Sequence, residues 1–230
     1  MFTVTSRIRQ LSTRSVVLGG LAALVLLRIL LCMAAPTQLH HSEEFVNLRL
    51  AASLLGDEAE WEALGAVSPT DDRDPARPGL FDFQYQDWDG GTLVVALVLV
   101  PIAALGGLSV GTVKVGAILW SFGVALAWLL LLGSLWGQEG KRWGALAFAA
   151  VPVPYLLASS IHWGNHAESA LFLPLVLLIL FGASEQRRAA SLLGRVAIAG
   201  LLAGFGVYFS ISGRTSLPMS SMVFITDSWE

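Results

Sequence analysis

The chain has 230 residues, 55% of them hydrophobic and 13% charged, with a formal net charge of −3. Soluble domains carry about 25% charged residues, so the composition excludes an ordinary soluble globule and predicts an all-α, polytopic membrane protein. Charge is also segregated: Thr37–Thr92 holds twelve acids and three arginines, against five acids and eleven basic residues elsewhere, a balance that leaves no footprint for nucleic acid.

Residues 1–14 carry Arg7, Arg9 and Arg14 ahead of a long apolar run, 15–35. A basic start before an apolar run resembles a secretory signal. The run is long for one, Leu31-Cys32-Met33 makes a poor lipobox, and more apolar runs follow. It is therefore read as a retained first span with its N-terminus on the cytoplasmic side. Arg28 interrupts this span. A charge at a helix centre costs roughly 2.5–3.5 kcal/mol on insertion scales, so Arg28 either snorkels outward or faces the bundle, and snorkelling is the favoured expectation. Cys32 is the lone cysteine, so no intramolecular disulfide forms.

Residues 36–109 form the large outer loop. Its opening, His40-His41-Ser42-Glu43-Glu44-Phe45-Val46-Asn47-Leu48-Arg49-Leu50, sets two carboxylates behind two histidines. Phe45, Leu48, Ala52 and Leu55 then recur at helical spacing, which predicts an amphipathic helix on the membrane surface, continuing to about Gly65. Pro69, Pro75 and Pro78 make 68–79 irregular, and 81–89 interleaves aromatics with acids and amides. The apolar segment 92–106 contains Pro101 and is followed by Gly107. Its apolar core, Thr92–Leu105, runs for about 14 residues, where a span needs about 20.

Spans are then expected at 110–137, 143–160, 169–183 and 196–212, with a polar link at 161–168 and a tail at 213–230. If 92–106 crossed the membrane, Lys141, Arg142, Arg187, Arg188 and Arg195 would fall outside. If it is juxtamembrane or re-entrant, they join Arg7, Arg9 and Arg14 inside. Short loops follow the positive-inside bias, so the second topology is adopted. It has five spans and puts the acidic loop, 161–168 and the tail on one outer face.

That topology brings two polar clusters to one side: His40–Glu44, and Ile161-His162-Trp163-Gly164-Asn165-His166-Ala167-Glu168. Ionisable groups at membrane exits are candidates for function, and a partly desolvated carboxylate can serve as a general base or hold a metal. Plainer readings stand beside these. Glu43 and Glu44 also suit a helix N-terminus through its dipole, as does Glu168 before the next span. His162 and His166 are four apart, as in zinc sites, but Gly164 and Asn165 favour a turn. A divalent metal stays open on this reading, and no phosphate loop, nucleophile elbow or Cys/His zinc pattern occurs.

An N-terminal span, an outer loop opening on Ser42-Glu43-Glu44-Phe45, and a juxtamembrane apolar segment resemble the C-type (GT-C) membrane glycosyltransferase superfamily. So does Pro152-Val153-Pro154-Tyr155-Leu156-Leu157-Ala158-Ser159-Ser160 leading to Gly164-Asn165-His166-Ala167-Glu168. The superfamily includes the oligosaccharyltransferase catalytic subunit, protein O-mannosyltransferases and lipid A aminoarabinose transferases. The resemblance implies an all-helical, multi-pass enzyme of a bacterial inner or plasma membrane, whose donor is a sugar on a polyprenyl phosphate. It implies catalytic roles for Glu43, Glu44 and Glu168, and substrate contacts by His41, Arg49, Asn165 and His166, with Arg49 suited to the donor phosphate. It also implies that this chain corresponds to the front half of such an enzyme, so that a partner chain supplies further helices. The rival reading is a non-enzymatic membrane subunit or inactive remnant. A transporter part fits less well, because the spans after the first are nearly free of charge.

Overall fold

The computed structural model describes residues 12–34, 42–56, 90–162, 167–184 and 189–210. The first eleven residues, the 57–89 part of the acidic loop and the tail lie outside the described residues, as do His41, Asn165 and His166 and the side chain of Glu43. Every regular element among the described residues is helical: α1 Thr13–Ala34, α2 Ser42–Leu55, α3 Gly90–Gly106, α4 Val110–Ala149, α5 Val153–Ala158, a 3₁₀ turn Glu168–Leu171, α6 Phe172–Ser184 and α7 Ala189–Ser210. Among the described residues two helices, α1 and α4, are long and apolar enough to cross a membrane; Val94–Gly106, Glu168–Phe181 and Leu192–Val207 are shorter apolar stretches.

The Ser12 hydroxyl accepts the Ser15 N–H at 3.1 Å where α1 begins. α1 buries Val16, Gly20, Leu21, Leu24 and Arg28, one face at 3–4-residue spacing. Leu18, Leu26, Leu30 and Met33 are exposed on the other side, as suits a lipid-facing surface. The buried stripe packs against Ala125, Leu129 and Ala145 of α4.

α4 is a reversal rather than one rod. Helical geometry fails at Trp136 and at Gly137, whose φ of 61° favours a residue without Cβ. Beyond that point the chain folds back, bringing Gly140 against the Leu132 backbone and Gly144 against Leu129 and Leu132. Small residues let the two arms touch backbone to side chain. The reversal falls where the sequence predicts a link between 110–137 and 143–160. The second arm differs from the expected span: it stops at Ala149 and resumes as the six-residue α5, with Pro152 as N-cap and Pro154 inside its first turn. Proline lacks the N–H that would carry a helix through.

α3 is 17 residues long, which at 1.5 Å per residue is about 25 Å, short of the roughly 30 Å hydrocarbon core. Pro101 sits on its exposed side. Its buried Ala96 meets Leu50, and Ala103 packs with Leu48, Ala52, Leu108 and Val113. α2, α3 and the first turns of α4 thus cluster at one end of the bundle. At that end Val95 also meets Phe172 of α6 and Phe209 of α7. The Phe172 and Phe209 rings lie 5.0 Å apart.

Two expectations need correction. α2 ends at Leu55 on a positive-φ Gly56, and the rest of the stretch expected to be helical, 57–65, lies outside the described residues. α2 buries Glu44 and Asn47 with Leu48, Leu50, Ala51 and Ala52. A helix lying on a lipid surface would leave those polar groups in water; this one is seated on protein. Arg28 does not snorkel. It is fully buried, and its Nη1 and Nη2 donate to Leu24 O at 3.1 Å and Ser159 Oγ at 2.6 Å, oxygens that the bundle itself supplies.

Candidate functional site

The polar centre forms where α2, the start of α4 and the 159–162 link meet. Ser109 caps α4, its hydroxyl accepting the Thr112 N–H at 3.2 Å. That fixes the first turn, from which Lys114 projects. Its Nζ donates to Glu44 Oε1 at 2.6 Å and Oε2 at 2.9 Å, and to Ser160 O at 3.3 Å. Glu44 Oε1 also accepts the backbone N–H of His162 at 2.8 Å. One helical turn along α2, Asn47 Nδ2 donates to His162 O at 2.9 Å. Both backbone groups of His162 are therefore held by α2 side chains.

Glu44, Lys114, Asn47, Ser160 and His162 are all buried. Burying a lone charge costs several kcal/mol, and a close, hydrogen-bonded opposite charge offsets that cost. Such an arrangement holds structure firmly. It also limits what Glu44 can do as a base, since both its oxygens already accept charge-assisted or backbone bonds.

The His162 ring is itself fully buried, and neither ring nitrogen has a hydrogen-bond partner among the described residues. It lies against Gly116 and Leu99: a Cβ built on Gly116 would come within 2.9 Å of its Nε2 and 2.6 Å of Leu99 Cδ2. Burial, reinforced by the Lys114 charge, pushes the imidazole down to about 3, so the ring is neutral near pH 7.

A second polar set lies beside the first. Ser159 accepts from Arg28 and donates to Leu156 O, while Ser121 Oγ donates to Ser159 O at 2.8 Å. A narrow cleft here is lined by Trp120, Ser121, Tyr155, Ser159 and Glu168. Glu168 is buried in the first turn of the 3₁₀ helix.

Of the residues singled out in the sequence, Glu44 reaches the centre and Glu168 the adjoining cleft. Arg49 is half-buried on α2 and takes no part in the Glu44–Lys114 bonds. Glu43 precedes Glu44 in the same helical turn, with its side chain outside the described residues. His41, Asn165 and His166 also lie outside them. Among the described residues, no three His, Cys, Asp or Glu side chains group as a metal would need.

Lys114, Asn47 and Ser160 were not among the sequence candidates. Lys114 carried a readable signal: it is the one charge between Val110 and Leu135, and a lone cation in a long apolar run calls for an acid partner. Compared with known protein families, curated proteins and solved structures, the chain matches none.

Proposed function

We propose that the chain is a GT-C-like membrane glycosyltransferase module, integral to a bacterial inner or plasma membrane. In this reading five segments cross the membrane, at 15–35, 110–137, 143–160, 169–183 and 196–212, the third broken between Ala149 and Val153, and both polar clusters lie on the outer face. A sugar passes there from a polyprenyl-phosphate donor to an acceptor hydroxyl. The observation that supports it best is the bonding of Glu44 to both Lys114 and the His162 N–H, which ties the acid pair of the first outer loop to the second polar cluster.

The division of labour follows from that bonding. Glu44 is engaged and acts as a positioning residue. Glu43, its neighbour in sequence, is the general base. Its carboxylate takes the acceptor hydroxyl proton as that oxygen attacks the anomeric carbon. The anomeric carbon–phosphate oxygen bond breaks, and polyprenyl phosphate leaves with the electron pair. Glu168 is buried on the closed cleft with Tyr155 and Ser159, and in this reading it meets a sugar or acceptor hydroxyl when that cleft opens. His41, Arg49, Asn165 and His166 complete the substrate contacts, and a partner chain supplies the remaining helices.

The test uses the full chain in membranes of cells that express it, with a radiolabelled polyprenyl-phosphate sugar as donor. Release of polyprenyl phosphate is the expected result. Glu43→Gln should abolish it, and Lys114→Met should lower kcat by about 10–100-fold through lost positioning. Turnover unchanged by Glu43→Gln would overturn the assignment. The second reading, a non-enzymatic membrane subunit, draws on the same Glu44 geometry, because a carboxylate saturated by Lys114 and His162 suits structure better than proton transfer. It predicts no donor turnover in wild-type membranes.

A further inference from the structure

His162 combines two features that rarely coexist. Its backbone is the point to which α2 is tied, through Glu44 at 2.8 Å and Asn47 at 2.9 Å. Its ring is an ionisable group in a slot where, among the described residues, neither nitrogen has a hydrogen-bond partner. Each element packed on the ring can be read for charge. α4 contributes Gly116 and the Lys114 ammonium; α3 contributes Leu99; α2 contributes Asn47 and the Glu44 carboxylate, whose oxygens are taken by Lys114 and the His162 N–H. A second positive charge in that slot would face Lys114 with no acceptor of its own. Desolvation and like-charge repulsion act in the same direction.

We propose that His162 is an acid-operated latch on the outer helix: a proton taken from water onto its ring expels the ring from the Gly116–Leu99 slot and releases α2 from the 159–162 link. The coupling is mechanical. The ring is fully buried, so it reaches water when the 159–162 link shifts away from α2, and that shift breaks the Glu44 and Asn47 bonds to its backbone. The inference is independent of any catalytic reading.

The pH range follows from linkage. In the open state the imidazole has its ordinary value of about 6.5, and in the closed state it is held down to about 3. Protonation therefore favours the open state progressively as pH falls below about 6.5. Each further unit shifts the closed-to-open ratio about tenfold towards open. Above that value the ratio is constant.

The experiment is amide deuterium exchange on the full chain in micelles between pH 7.5 and 5.0, corrected for the intrinsic pH dependence of exchange. The readout is the protection of residues 44–55. Wild-type protection should be flat above pH 6.5 and fall about tenfold per unit below it. His162→Gln should show the same protection at every pH. Gly116→Ala, which fills the slot, should leave 44–55 poorly protected even at pH 7.5. Wild-type protection that stays constant down to pH 5.0 would overturn the latch, and so would an equal acid-induced loss in His162→Gln.

Discussion

Lys114 Nζ lies 2.6 Å from Glu44 Oε1, joining residues seventy positions apart in a buried pair. The carboxylate at the start of α2 is thus fixed by the one charge in the first arm of α4. The same carboxylate receives the N–H of His162 from 118 positions away. Three separate stretches of the chain are locked by a handful of buried polar atoms. Such bonds choose one arrangement of helices over the alternatives, since a mispaired arrangement would strand a buried charge.

The contact between α1 and the returning arm of α4 depends on Gly20. A Cβ there would lie 2.6 Å from Ala145 O and 2.9 Å from Ala145 Cβ, backbone and short side chain that cannot swing away. Gly20→Ala should destabilise the protein by roughly 1–3 kcal/mol through overpacking. At Gly19 a Cβ meets nothing within 4 Å, so Gly19→Ala should be neutral or stabilise by up to about 1 kcal/mol through helix propensity. Thermal unfolding of both variants in the same detergent separates local packing from a general intolerance of change.

Arg28 is a buried cation whose bonds go to neutral oxygens, Leu24 O and Ser159 Oγ. Replacing a whole buried ion pair by apolar side chains of similar volume is often neutral or stabilising, and removing Arg28 strands no opposite charge at Leu24 O or Ser159 Oγ. Arg28→Met should therefore keep or raise stability. Ser159→Ala, which strips a partner from the charge and leaves it in place, should cost roughly 1–3 kcal/mol. Denaturant titration of the two variants gives the sign of each.

Whole-protein stability should also depend on pH through His162. Its folded-state value is depressed, to about 3, below an unfolded value of about 6.5. The neutral ring is the form that folding favours, so this contribution is fully present above about pH 6.5. It is lost as pH falls towards 3, at up to roughly 1.4 kcal/mol per unit. Unfolding free energies at pH 7.5, 6 and 5 should fall in that order for wild type, and His162→Gln should remove most of the slope.

Helix content was legible in the sequence because apolar runs in a membrane leave few alternatives to helix. The reversal near Trp136-Gly137 was legible too, from the polar residues Gln138–Arg142 that follow it. The Glu43–Glu44 stretch and the 161–168 link were identified as the polar places that matter, and Glu44 bonds to His162 of that link. What joins them was not legible. Periodicity reports which face of a helix is apolar, but says nothing of which partner lies 70, 118 or 131 residues away. Arg28 was misread for the same reason: snorkelling is judged from one helix, whereas its Ser159 partner arrives from another. Asn47 sits among apolar positions of α2, and only the packed 159–162 link gives its amide a carbonyl to hold.

The most direct test of the account is a double-mutant cycle on Glu44 and Lys114, read as unfolding free energy in micelles. Glu44→Gln and Lys114→Met should each cost about 3–5 kcal/mol, because either leaves its partner poorly compensated in a buried site. The double variant should cost clearly less than the two singles together, with a coupling above about 1.5 kcal/mol. Costs that add to within about 0.5 kcal/mol would contradict the pair, and with it the claim that α2 is locked to the bundle through Glu44.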